Sequence, residues 1–168
     1  RVRSSAASDV YKRQGLDAVL TSARQRVTRE PAFPTPVPGQ ERRRADLRLH
    51  AWEEGRDLYV DVVGSSPLTA ANLQHFVPGG AAMRASEDKH NRYAVLLARQ
   101  QPPVAFQAFS FETLGGLHSD ALTLLKRLQG LLNQAIIAHE DVEGYYVIRR
   151  VSFIIAAAVG RQLSARRV

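Results

Sequence analysis

ADLRLHAWEEGRDLYVDVVG, Ala45 to Gly64, is the stretch that decides the fold. In its first half Ala45, Leu47, Leu49 and Ala51 alternate with Asp46, Arg48, His50 and Trp52. In its second half Leu58, Val60 and Val62 alternate with Tyr59, Asp61 and Val63. A two-residue period marks a strand with one face in a core. Between the halves, Glu53-Glu54-Gly55-Arg56-Asp57 supplies turn chemistry, so the stretch reads as an antiparallel hairpin. Its midpoint is expected between Glu53 and Glu54, which sets Asp46 nearly opposite Asp61 on the polar-facing set. Directly opposed residues have Cβ atoms roughly 4.5–5.5 Å apart.

Upstream of the hairpin, Leu16, Val19, Leu20, Ala23 and Val27 recur at helical spacing. Pro31, Pro34, Pro36, Pro38 and Gly39 then forbid regular structure and read as an exposed connector, with Val27 to Phe33 offering a first strand. Downstream, Gly64 to Pro67 ends the hairpin and Pro78-Gly79-Gly80 marks a loop. A helix is expected from Ser86, as its cap, to Gln100, with Pro102-Pro103 stopping it. Val104 to Thr113 reads as a further strand, closed by Gly115-Gly116. After His118-Ser119, Ala121, Leu124, Leu125, Leu128, Leu131, Leu132 and Ala135 form an apolar helical stripe. A second helix is expected over 146–165. The pattern gives the order helix, strand, strand, strand, helix, strand, then two helices, read as an α/β core over 15–116 and a C-terminal helical pair over 117–168 packed on it.

Composition bounds the function classes. The chain has 168 residues, 45% of them hydrophobic, enough for one core. It has no cysteine, which excludes disulfides, cysteine nucleophiles and thiolate zinc sites. The longest apolar run, Ile154 to Gly160, is too short to span a bilayer, and no signal-peptide pattern opens the chain. No membrane partner is expected, and a nuclear or cytoplasmic location is. Ser4 to Gln14, SSAASDVYKRQ, resembles the conceptual translation of a transposase-type sequencing adapter, so 1–14 are expected to form a disordered tail. That stretch holds Arg1, Arg3, Lys12 and Arg13 against Asp9, so the formal charge of +7 falls to +4 for the remaining 154 residues. The resemblance also implies that more chain naturally precedes Leu16.

The chemistry-bearing residues centre on the two aspartates. Opposed carboxylates repel unless a cation lies between them, and Mg²⁺ or Mn²⁺ takes hard oxygen ligands. A metal held there neutralises charge during attack on a phosphodiester. Arg42, Arg43, Arg44 and Arg48 surround Asp46 and are placed to hold a phosphate backbone. The plainer reading is two surface aspartates salt-bridged to those arginines. On the following helix, Lys89 and Tyr93 are four apart and share a face, with Glu87 nearby. A lysine aimed at the carboxylates serves proton transfer or phosphorane charge; a solvated helix explains the same residues without a site. Glu112, after an apolar strand, is a candidate third carboxylate or a surface glutamate. Trp52 and Tyr59 offer base stacking or cross-strand packing. His50, His75, His90, His118 and His139 lack metal-ligand spacing, Gly79-Gly80 and Gly115-Gly116 lack a phosphate loop's lysine, and Gly64-Ser65-Ser66-Pro67 is no nucleophile elbow.

Arg44-Ala45-Asp46, fourteen residues, then Asp61-Val62-Val63 is similar to the Pro-Asp…Asp motif of restriction-like endonuclease domains in non-LTR retrotransposons. Lys89…Tyr93 resembles the lysine and tyrosine that follow it there. DVVGSSPL from Asp61 to Leu68, Phe111-Glu112-Thr113-Leu114-Gly115, and Arg150-Val151-Ser152…Arg161-Gln162-Leu163 resemble C-terminal regions of retroelement reverse transcriptase polyproteins. The resemblance spans about Leu16 to Arg167. It implies a restriction-endonuclease-like, PD-(D/E)XK-type fold, a mixed sheet with flanking helices, and a Mg²⁺- or Mn²⁺-dependent nuclease that nicks target DNA, with a reverse transcriptase domain upstream in the same polypeptide. Carried over, Asp46 and Asp61 become metal ligands. The motif proline is Ala45 here, and Val63 stands where the broader superfamily has its lysine, so Lys89 becomes the candidate catalytic lysine. Glu87, Tyr93 and Glu112 are accessory candidates. Two other readings remain: a catalytically degenerate nucleic-acid-binding domain of the same fold, and a helical protein-interaction module built on the stripe after Gly116.

Overall fold

The structure, a computed structural model, describes residues 16, 20–21, 25–35, 38–39, 43–74, 76–139, 149, 151–152, 154 and 156. The 1–14 tail, Arg42, His75 and most of the helix expected over 146–165 lie outside them. The alternating stretch forms strands β2 (Leu47–Glu53) and β3 (Arg56–Ser65). With β1 (Val27–Arg29) and β4 (Ala105–Glu112) they make a four-stranded mixed sheet in the order β1-β2-β3-β4. The first three strands run antiparallel to their neighbours, and β4 runs parallel to β3. A parallel pair cannot be joined by a tight turn. The crossover is carried by a short helix, α1 (Ala70–Leu73), and a long one, α2 (Gly80–Ala98). A third helix, α3 (Ser119–His139), follows β4.

Side-chain alternation divides the sheet into two faces. Leu47, Leu49, Leu58, Val60, Phe109 and Phe111 point to one face, where they pack with Ala121, Leu124, Leu125, Leu128 and Leu132 of α3. Leu16, Leu20 and Val151 join the same cluster. Each large apolar side chain buried this way contributes roughly 1.5–3 kcal/mol. The opposite face carries Tyr59, which packs with Phe33, Ala45 and, from α2, Tyr93 and Leu96. The sheet is thus covered on both sides by helices, an α/β arrangement, whereas the alternation predicts a core on one face only. No helix among the described residues is long and apolar enough to cross a membrane.

Local expectation and structure part company in the hairpin, where Trp52 joins the Leu47 core and Ala45 packs on the opposite face, and in two places outside it. Helix α2 begins at Gly80, and Ser86 is no cap: it lies buried inside the helix, 2% exposed. Gly79 takes the cap position at φ +78, a conformation open to glycine, and makes no side-chain capping bond. The acceptor for the helix start comes instead from β4, where Glu112 Oε1 accepts the Ala81 N–H at 3.0 Å. The second departure is the proline-rich connector. Pro31 and Phe33 are buried, and the Phe33 ring stacks on Tyr59 with centroids 4.4 Å apart. Prolines prohibit ladder bonds but not burial. The isolated bridge between Ala32 and Arg44 keeps this segment in line with β1 and β2.

Candidate active site

Asp46 stands immediately before β2, held by backbone bonds on both sides. Its carbonyl accepts the Glu30 N–H at 2.9 Å, and its own N–H donates to Val60 at 3.1 Å. The side chain is tied as well: Asp46 Oδ2 accepts the Val62 N–H at 2.7 Å. Val60 and Val62 flank Asp61, so Asp46 is bonded to the residues on either side of the second aspartate.

The hairpin that brings these residues together is irregular. The turn is Glu54-Gly55, both at positive φ (50° and 76°), the two-residue geometry that suits twisted strands. It lies one residue beyond the expected midpoint. Carried outward unbroken from the pair Glu53↔Arg56, the ladder would set Asp46 across from Val63. The register instead shifts between Leu49 and Glu53 to Leu49↔Leu58 and Leu47↔Val60, and Asp46, whose N–H also goes to Val60, meets Asp61 not as a paired residue but through its carboxylate on the neighbouring Val62 N–H. In the shift His50, Ala51 and Trp52 face Asp57 alone. Ala51 sits at φ +48. Asp57 Oδ1 accepts the Ala51 N–H at 3.0 Å and Oδ2 accepts Arg48 Nε at 2.8 Å. Burial pushes the Asp57 carboxyl up, but the Ala51 bond, the Arg48 bond and charge, and His50 together hold it below its ordinary value.

Asp61 is 5% exposed in the middle of β3. Lys89 of α2 reaches down to it, and its Nζ forms an ion pair with Asp61 Oδ2. That oxygen is buried, and the Lys89 ammonium is its partner. One helical turn on, the Tyr93 hydroxyl donates to the Arg44 carbonyl at 3.0 Å, pinning the segment that leads into Asp46. Burial first, then the charges of Asp61 and Asp46, pushes the Tyr93 phenol up to about 12. Tyr93 is therefore a neutral donor near both carboxylates at ordinary pH.

The structure thus brings Asp46, Asp61, Lys89 and Tyr93 to the α2 face of the sheet. Glu87 is exposed on α2. Glu112 pairs in register with Ser65, four residues beyond Asp61 and so about 13 Å along the strand. Its carboxylate serves the start of α2, and a Cβ at Gly116 would fall 2.9 Å from Glu112 Oε2, so a side chain there would push that carboxylate aside. Arg43 and Arg44 are exposed, and Arg43 donates to the Arg92 carbonyl. Arg48 is bound to Asp57 and lies over the Tyr59 ring at 5.7 Å. Trp52 is buried, with the Arg127 guanidinium over its ring at 4.9 Å. Sequence reasoning missed Asp57; its signal was an acidic residue directly after the Gly-Arg of the turn.

Two surface cavities adjoin α2, one of about 330 Å³ beside Asn72 and Arg84, the other of about 440 Å³ between His90 and His118. Neither is lined by Asp46, Asp61 or Lys89. The residues present fit a hard divalent cation in one respect: two carboxylates come close, with Asp46 on the N–H of Val62, the residue after Asp61. Mg²⁺ sites commonly use one or two carboxylates and several waters. No group of three histidine, aspartate or glutamate side chains among the described residues is arranged to hold a metal. No protein-family model matches the chain, and no curated protein is similar to it.

Proposed function

We propose that this chain is a metal-dependent DNA endonuclease domain of restriction-endonuclease-like fold, nicking a target strand for a reverse-transcriptase-bearing mobile element. The observation that carries the reading is the convergence of Asp46, Asp61 and Lys89 on one sheet face from two adjacent strands and the crossover helix. Asp46 and Asp61 would hold Mg²⁺ or Mn²⁺. The bound ion would supply positive charge against the phosphodiester as negative charge develops on it. Lys89, aimed at the same place, would hold a proton near the attacking oxygen or stabilise charge on phosphorus. Arg43 and Arg44 would contact the DNA backbone, with Arg42 in the same basic run. An upstream reverse transcriptase domain is the partner that the motif resemblance suggests.

One observation favours a second reading, a nucleic-acid-binding domain without catalysis. Lys89 already pairs with Asp61, and Asp46 Oδ2 is taken by Val62, so protein groups satisfy oxygens that a metal would use. The helical interaction module has less support, because the stripe of α3 lies against the sheet.

Nicking of supercoiled DNA with Mg²⁺ or Mn²⁺, and with EDTA as control, separates the readings. Asp61→Asn should bind DNA and fail to cut. Lys89→Ala should cut about 10²–10⁴-fold more slowly, as when a positioned proton-transfer group is lost. Nicking that persists in EDTA or in Asp61→Asn sinks the metal site. An unmodified chain that binds DNA and never cuts favours the second reading.

A further inference from the structure

We propose that the carboxyl end of the parallel β3–β4 pair is an interaction surface that joins this chain to a second copy of itself. The proposal stands apart from the endonuclease reading, whose aspartates lie further back along the sheet.

The sequence marks this end by what it omits. From Val62 to Met83 there is no aspartate, glutamate, lysine or arginine, and 113–117 has none either, although 23% of the chain is charged. The fold then gathers these segments. Ser65 and Glu112 pair at the ends of β3 and β4, and the Thr113 N–H donates to the Ser65 carbonyl at 3.0 Å. Glu112 holds the start of α2 at the same place. Helix α1 is tied in through Asn72, which donates to the Ser66 carbonyl at 2.6 Å and accepts from Arg84 at 2.7 Å. The loops after both strands, α1 and the first turn of α2 therefore share one end of the molecule.

Leu68, Leu73, Phe76, Val77, Met83 and Leu114 all come from these segments, and each is 45–65% exposed. Val95 is the one other large apolar side chain so exposed among the described residues. Together the six present on the order of 600 Å² of apolar surface, the upper end of the largest patch on an ordinary monomer, about 300–600 Å². Scattered exposed leucines need no explanation, but a concentration at one uncharged end does.

Chemistry narrows the occupant. Phosphate backbones and anionic lipid headgroups are held by lysine and arginine, which these segments lack. Arg84, at the edge, is bonded to Asn72. An apolar protein face remains, and a second copy fits it on three counts. An uncharged face meets its own two-fold mate without setting like charges together. It also carries both halves of a contact: exposed leucine and phenylalanine side chains, and between α1 and α2 a cavity of about 330 Å³ walled by Ala71, Ala81 and Ala85. The charged residues lining that cavity, Arg84 and Asp88, are of opposite sign. Finally, the apolar area approaches the roughly 800 Å² that each partner buries in a standard interface, whose polar rim makes up the remainder.

Sedimentation velocity of the 168-residue chain between about 1 and 100 µM should show a monomer–dimer equilibrium. Leu68→Glu and Leu114→Glu each bring two carboxylates into the contact, one from each copy. Each should raise the dimer Kd at least about thirtyfold, as loss of a central anchor does. Val95→Glu, near the other end of α2, should leave the Kd unchanged. The three side chains are 59–65% exposed, so circular dichroism and Tm should match those of the natural chain. If Leu68→Glu fails that check, Leu68→Ser is read in its place. A chain that stays monomeric at about 100 µM overturns the proposal, and so does a dimer that survives both patch variants. Assembly beyond the dimer overturns the two-fold pairing, because a closed contact uses up the face. A monomer that floats with phosphatidylcholine vesicles, where Leu68→Glu does not, overturns it in favour of a lipid surface. None of these readouts involves DNA or a metal, so failure here and failure of the endonuclease reading stay distinct.

Discussion

Replacing Lys89 with methionine isolates the charge at the centre of the site. Methionine keeps an unbranched apolar stem and removes the ammonium, leaving the Asp61 carboxylate, 7% exposed, without its ion partner. Breaking a buried pair from one side costs about 3–5 kcal/mol, since the remaining charge stays out of water. In a chain of 168 residues each kcal/mol moves Tm by about 2–4 °C, so the drop should be roughly 6–20 °C. Asp61→Asn should cost less. The Lys89 side chain is 19% exposed, and its flexible stem lets the ammonium move toward solvent. The asymmetry has a consequence for cations. With Lys89 gone, a divalent ion is the remaining means of neutralising Asp61, and Mg²⁺ at a hundred times its Kd should restore about 2.7 kcal/mol. Calorimetric melts of the natural chain, Lys89→Met and Asp61→Asn, each in EDTA and in rising MgCl₂, measure both effects. Mg²⁺ should raise Tm most in Lys89→Met and not at all in Asp61→Asn. If Lys89→Met melts with the natural chain, the ion pair is not a buried one. If Mg²⁺ leaves every Tm unchanged, the carboxylates are no cation site.

Three further expectations follow from particular contacts. Glu112→Ala removes the acceptor for the Ala81 N–H and should cost about 1.5–3 kcal/mol, with Glu112→Gln milder; nicking per folded molecule should hold, and its selective loss would return Glu112 to the site. Arg43→Ala and Arg44→Ala should each lower the log–log salt slope of DNA binding by about 0.9, whereas Arg48→Ala, with its side chain committed to Asp57, should lower Tm and spare the slope. An unchanged slope in the Arg43/Arg44 double variant would take the patch off the interface. Tyr93 is raised from 10.0 to about 12, so its share of stability is whole below pH 10 and drains as pH climbs through 12. Tyr93→Phe should cost about 1 kcal/mol at neutral pH through the lost bond to Arg44 and should flatten that alkaline decline. Urea unfolding between pH 8 and about 12 tests this, and parallel curves for the two proteins would contradict it.

Local periodicity decided a good deal here, because it states which side chains share a face. The two-residue alternation from Ala45 to Val63 was enough to predict a hairpin with Leu47, Leu49, Leu58 and Val60 turned to one core. The four-residue spacing of Lys89 and Tyr93 put both on one face of a helix, and the structure turns that face to the sheet. The stripe from Ala121 to Leu132 marked a helix with one buried face. Each of these is set by residues within a few positions of one another, where the backbone repeat alone determines direction.

What periodicity does not carry is the identity of a distant partner. The start of α2 is supported by Glu112, 31 residues beyond the N–H it accepts, so no cap was legible near Gly80. Phe33 sits among prolines that signal a surface connector, and only the stacked ring of Tyr59 explains its burial. Glu112 had the makings of a site carboxylate until β4 paired in register with β3 and put it beside Ser65 rather than Asp61. The placement of Asp46 and Asp61 shows the division most sharply. Strict alternation sets Asp46 opposite Asp61 and Trp52 on the polar face, whereas in the structure Asp46 and Leu47 both meet Val60, Ala45 packs with Tyr59, and Trp52 joins Leu47 and Leu49 in the core. The irregular pairing behind this, bridged by Asp57 to Arg48 and to the Ala51 N–H, is made by groups that meet only in three dimensions.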